Sequence, residues 1–180
     1  MTVYYFVRHG QTSYALADER HLKGDSRSLM PLTRAGRDEI VAASHSLREL
    51  QAELILASPM TRAMESAAIL SRLLDLPIRV EFDLHEWIPD LTFSWAEFET
   101  VEAAYQEMMQ TQEGQPVEPK NWEPLSCVRE RALHVLKRYC DLNRVLVVCH
   151  GVVIYSLTGQ NLTTGGCCSF ELGNNVVRSA

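Results

Sequence analysis

The chain has 180 residues, 46% apolar and 22% charged, proportions that suit one soluble domain long enough to bury a substantial core. A formal net charge of −6 argues against nucleic acid or an anionic membrane surface as a partner, though it leaves room for a local basic pocket. No apolar run approaches the ~20 residues of a membrane span, residues 1–10 lack the features of a secretory signal, and five cysteines without a C-x-x-C pair suit reduced thiols in the cytoplasm.

Residues 2–7, "TVYYFV", are β-branched and aromatic and predict a buried strand that ends in Arg8-His9-Gly10. Loop chemistry follows to about residue 32. Thr33 is placed to cap a helix over about 34–51, where Ile40, Ala43, Leu47 and Leu50 recur at helical spacing. "ELILA", 53–57, predicts a second strand, and Ser58-Pro59 reads as the N-cap and first turn of a helix to about residue 74. "IRVEF", 78–82, alternates as a third strand.

Residues 83–124 are less regular. They hold Trp87, Trp95 and Trp122, a predicted helix over about 96–111 and a turn-rich segment, and they read as an insertion at one end of a single 1–180 domain. A helix over about 126–140 follows, then the strongly apolar strand "RVLVVC", 144–149, and a helix ending at Gly159. "CSFEL" and "VVRS" predict an edge hairpin around Gly173, Asn174 and Asn175. Alternating strands and helices predict a three-layer α/β/α sandwich with a mostly parallel sheet, the insertion lying over the C-terminal edge of the strands.

In such sheets ligands bind beyond the carboxyl ends of the strands. There the sequence puts Arg8 and His9 after the first strand, Arg62 just past the second, Glu86 past the third and His150 after "RVLVVC". Two guanidiniums on an acidic protein call for an anion, and their planar donors match phosphate oxygens. Arg62 falls in a first helical turn, where the dipole also favours negative charge. A metal fits poorly beside two arginines, and no H-x-x-x-H or cysteine spacing supports one. A cysteine nucleophile with an arginine six positions on is absent, since Leu133, Leu146 and Tyr155 occupy those places after Cys127, Cys140 and Cys149. A histidine nucleophile fits better: with an ordinary pKa near ~6.5, it has a free ring nitrogen at neutral pH. Glu86 is then the carboxyl group in reach to protonate a leaving oxygen, with Asp90 a competitor four residues on.

Five segments in order strengthen this: "VRHGQT", "PLTRAG", "ASPMTRAMESA", "LHE" and "VVCHGVVI". Together they resemble the motifs of the histidine phosphatase superfamily, which includes the cofactor-dependent phosphoglycerate mutases. The resemblance runs from about residue 3 to the C-terminus. It implies His9 as the residue that takes the phosphoryl group, and Arg8, Arg62 and His150 as the phosphate pocket. It also implies Glu86 as general acid and base, and a reaction needing neither metal nor cofactor. Where the family motif often continues to an asparagine, position 15 is Ala, which leaves that contact to Ser13, Tyr14 or another group. The loop "HLKGDSRSLMPLT" is also spaced differently from the family pattern.

Residues 87–124 carry one positive charge, Lys120, where the family's mutases use basic insertions. Hydrolysis of a small phosphate monoester is therefore expected, ahead of mutase-type transfer or a non-catalytic phospho-ligand module. Ser13, Tyr14 and Trp87 are the candidate substrate-pocket residues, and Trp87, Phe93 and Trp95 suit a partly apolar leaving group. His21, His45 and His134 read as ordinary histidines and Cys149 as core, while His85 has two readings, an ordinary histidine or a functional one beside Glu86.

Overall fold

A computed structural model describes residues 1–94, 98–111, 118–172 and 177–179. Six strands form one sheet in the order β3-β2-β4-β1-β5-β6. β1 (Val3–Arg8), β2 (Leu54–Ala57), β3 (Ile78–Val80) and β4 (Arg144–Cys149) run parallel, and β5 (Cys167–Glu171) and β6 (Val177–Ser179) add an antiparallel edge. The helices are α1 (Ala15–Glu19), α2 (Arg34–Arg48), α3 (Thr61–Leu74), α4 (Phe98–Gln110), α5 (Leu125–Lys137) and α6 (Gly151–Thr158).

The twofold period of the strands divides the apolar side chains between two cores. Tyr4, Phe6, Leu56, Val145 and Val147 face α5 and α6, where they meet Val128, Ala132, Val135, Val153 and Ile154. Val7, Ile55, Ala57, Leu146 and Val148 face α2 and α3, against Ile40, Leu47, Ala63, Ala67 and Leu70. The expected three-layer, mostly parallel architecture is therefore the observed one.

Three local expectations differ. Residues 9–32 are not all loop: they contain α1 and a 3-10 turn over Gly24–Leu29. A five-residue helix is too short to show a periodic pattern; left-handed backbone at His21 (φ 50°) falls between the two pieces and at Gly24 (φ 52°) opens the second. α3 begins at Thr61 with Met60 at its N-cap, so Ser58 does not cap it; Ser58 is fully buried and bonds His150 instead. β3 stops at Val80 and gives way to a 3-10 turn over Phe82–Leu84. Thr33 does cap α2, its Oγ1 accepting from the Gly36 N–H at 2.9 Å. The strands of the expected edge hairpin pair, while its turn at Gly173, Asn174 and Asn175 lies outside the described residues, as does Trp95.

Register positions the site. Arg8 pairs with Cys149 and Ala57 with Val148, so His9, Ser58 and His150 emerge together from three adjacent parallel strands. The loop after β1 lies backbone to backbone on α2: a Cβ at Gly10 would sit 2.2 Å from the Gly36 carbonyl oxygen. Only glycine permits that approach, which accounts for a glycine in both "RHG" and "TRAG".

Candidate active site

Beyond the carboxyl ends of the strands lies a cavity of about 720 Å³, lined by Arg8, His9, Thr12, Arg62 and Glu86. At its base the His9 and His150 rings meet edge to face, centroids 5.0 Å apart. The Arg62 Nε–H donates to His9 Nε2 at 3.0 Å. A guanidinium can only donate, so Nε2 carries the lone pair and the ring proton is on Nδ1, which donates to the Gly10 carbonyl at 2.8 Å. The geometry thus selects one tautomer of His9. Burial, then Arg62, push its pKa down to about 3, with the Gly10 carbonyl acting the other way.

His150 is fully buried, and burial followed by Arg62 holds it neutral well below the ordinary histidine range. Its Nε2 lies 2.7 Å from Ser58 Oγ. Three buried side-chain polar atoms among the described residues have no hydrogen-bond partner: Arg8 Nε, Thr12 Oγ1 and His150 Nδ1. All three belong to residues at this site. Buried polar groups are rarely left unpaired, so three such atoms in one place set this region apart from the rest of the described structure. Arg8 is fixed by Nη1 donating to the Leu162 carbonyl at 2.6 Å, its guanidinium lying against Gly151, where a Cβ would come within 3.3 Å.

Glu86 lines the cavity, one carboxylate oxygen accepting from the Trp87 N–H at 2.9 Å. Asp90 is turned elsewhere: it accepts from Thr92, Ser94 and Asn121, and the Thr92 hydroxyl and N–H lead in holding its carboxyl well below the usual range. Tyr14 and Trp87 reach the cavity, as does His85, whereas Ser13 is not among the residues that line it. Trp87 also serves packing, its indole donating to the Glu123 carbonyl at 2.6 Å. Arg27 joins the wall over the Tyr14 ring and pairs with Asp18 at 3.0 Å, while Lys120 pairs with Glu107 at 2.7 Å. Thr12 was missed in the sequence although it stands inside "RHGQT". Arg131 and Glu123, which hold the Glu86 loop, gave a weaker signal: an arginine within the apolar stripe of α5, three residues after Val128 and four before Val135.

The edge of a mostly parallel sheet thus brings Arg8 and His9, with Arg62 from α3, onto one cavity, while His150 lies buried beside His9 and does not line it. The family model described as the histidine phosphatase superfamily (branch 1) matches residues 4–167, and the chain belongs to that superfamily. A Bacillus subtilis protein described as the uncharacterized phosphatase PhoE is 27% identical over 160 residues, 87% of this chain and 76% of its own. Among solved structures, Bacillus stearothermophilus YhfR superposes with a TM-score of 0.76 at 23% identity, covering 100% of this chain and 96% of its own. A mycobacterial glucosyl-3-phosphoglycerate phosphatase does so with a TM-score of 0.72 at 20% identity, covering 93% and 89%. No described helix is long and apolar enough to cross a membrane.

The two depressed histidines make stability depend on pH. Between their folded values and ~6.5 the unfolded chain binds more protons than the folded one, so stability falls as pH drops below ~6.5. The slope is at most about 1.4 kcal/mol per pH unit for each histidine. Melting temperatures between pH 7.5 and 4.5 should fall on that schedule, and His9→Ala should remove roughly half the slope; a flat profile would show that neither histidine is held neutral.

Proposed function

We propose that this chain is a phosphatase hydrolysing small phosphate monoesters through a phosphohistidine on His9. The observation that supports this most is the His9 tautomer: a lone pair on Nε2, a proton tied to the Gly10 carbonyl, and unpaired donors nearby. His9 Nε2 attacks phosphorus in line while the P–O bond to the leaving group breaks, and Glu86 in its acid form gives that oxygen a proton. Water then attacks the phosphohistidine, Glu86 takes its proton, the N–P bond breaks and phosphate departs. Arg8, Arg62 and His150 hold the non-bridging oxygens, stabilising charge by preorganisation. Thr12 Oγ1 takes the part that the resemblance gave to an asparagine at position 15, where Ala15 stands. The chain's own groups suffice for each step, so neither metal nor cofactor is assigned.

Residues 1–180 serve as one domain, with 83–124 setting specificity. Leu29, Phe82, Phe93 and Phe98 line the cavity yet are 64%, 74%, 46% and 65% exposed, an apolar rim that favours a leaving group with an apolar body. Five free thiols suit a reducing, cytoplasmic setting. Steady-state hydrolysis of para-nitrophenyl phosphate, phenylalkyl phosphates and phosphoglycerates, in EDTA, tests the reading. Turnover should survive EDTA and the phenylalkyl esters should have the lowest KM, by about tenfold for one well-buried ring. Phosphate binding without turnover on any ester would leave a phospho-ligand module, and transfer between phosphoglycerates a mutase.

A further inference from the structure

Arg131 does not line the cavity, yet it touches almost every part of the loop that carries Glu86. From α5 its Nη1 donates to the carbonyls of Asp83 at 2.6 Å and His85 at 2.8 Å, and its Nη2 to the carbonyl of Glu86 at 3.3 Å. The rest of the fork is taken by Glu123, from Nε at 2.7 Å and Nη2 at 3.0 Å. Both side chains are nearly buried, 12% and 10% exposed. Glu123 reaches the same loop by a second route. Its Oε2 accepts from the Ile88 N–H, its own N–H donates to the Ile88 carbonyl, and its carbonyl accepts from the Trp87 indole.

A surface ion pair needs none of this. Only a planar fork satisfies three carbonyls and a carboxylate at once, and a nearly buried ion pair is by itself a weak source of stability. We infer that Arg131, clamped by Glu123, is a positioning residue that sets the Glu86 carboxyl against the leaving-group oxygen. The inference rests on Glu86 being the acid of the proposed reaction. Misplacing an acid by about an ångström costs on the order of 10²-fold.

The test is leaving-group dependence of kcat/KM, which reports steps only up to departure of the alcohol. A phenylalkyl alcohol needs a proton to leave, whereas para-nitrophenol departs as its anion. Arg131→Lys keeps the charge and loses the fork. It should lower kcat/KM for a phenylalkyl phosphate at least tenfold more than for para-nitrophenyl phosphate, and added to Glu86→Gln it should widen that variant's own difference no further. Equal losses on both esters, or a difference that multiplies in the double variant, would overturn the inference. Should Arg131→Lys not fold, Glu123→Gln leaves the carbonyl bonds in place and should show the same bias at several-fold; no bias there would overturn it equally. Glu86→Gln alone separates the two readings. A bias in Glu86→Gln but not in the Arg131 and Glu123 variants removes only the positioning role, and no bias in Glu86→Gln removes the acid and the positioning role together.

Discussion

His9→Ala is expected to lower kcat by about 10⁴- to 10⁶-fold, the scale at which an enzyme loses its nucleophile while the rest of its site persists. The neighbouring histidine is not placed to replace it. His150 lies one strand over, fully buried, with Nε2 engaged by Ser58 and the ring turned edge-on to His9. The donors remain in the variant: Arg8 is held by the Leu162 carbonyl, and Arg62, placed by α3, loses its acceptor on His9 and has its Nε–H freed for an anion. Inorganic phosphate should therefore still bind the variant within a few-fold of the parent. Rapid quenching with labelled substrate should trap one phosphoryl group per parent chain, stable in base and labile in acid as a phosphorus–nitrogen bond is, and none on His9→Ala. An acid-stable label, or a label that persists in the variant, would place the nucleophile elsewhere.

Exchange of Glu86 for Gln should cost kcat/KM on alkyl phosphates about 10²- to 10⁴-fold, the usual contribution of a positioned acid. The cost on para-nitrophenyl phosphate should be far smaller. Asp90→Asn is the paired control. Asp90 accepts five hydrogen bonds from Thr92, Ser94 and Asn121, and a carboxyl so depressed has no proton to give near neutrality. Its replacement brings an amide group among donors, so the melting temperature should fall while the ratio of the two kcat/KM values stays put. If the leaving-group bias appears in Asp90→Asn rather than in Glu86→Gln, the acid has been misassigned.

Much of the site was readable because its parts are local. A strand of β-branched and aromatic residues announces its own end, and the residues just after it must lie at the sheet edge whatever the rest of the chain does. "RHG", "SP..R" and "HG" each combine a strand end with groups that bind or attack phosphate, so chemistry and location came from the same few residues. The alternation of strands and helices fixed the parallel sheet in the same way. Short irregular pieces carry no such period: α1 and the 3-10 turn before Met30 fell in a stretch read as loop. The N-cap assigned to Ser58 failed because capping preference is weak beside a buried hydrogen bond to a histidine 92 positions away.

By itself, then, the sequence determined the sheet, its layers and the set Arg8, His9, Arg62, Glu86 and His150 at its edge. Tertiary structure alone decided which His9 nitrogen holds the lone pair, since that depends on Arg62, 53 residues on. It decided that Glu86 lines the cavity while Asp90 caps a loop, that Ser13 does not line it, and that Thr12 Oγ1 is left unpaired. It also joined Arg131 to carbonyls 45 to 48 residues distant. Backbone carbonyls are the same at every position, so nothing in the sequence marks which of them a guanidinium will find. Only the packing of α5 against the turn after β3 brings that fork and those oxygens within 3.3 Å.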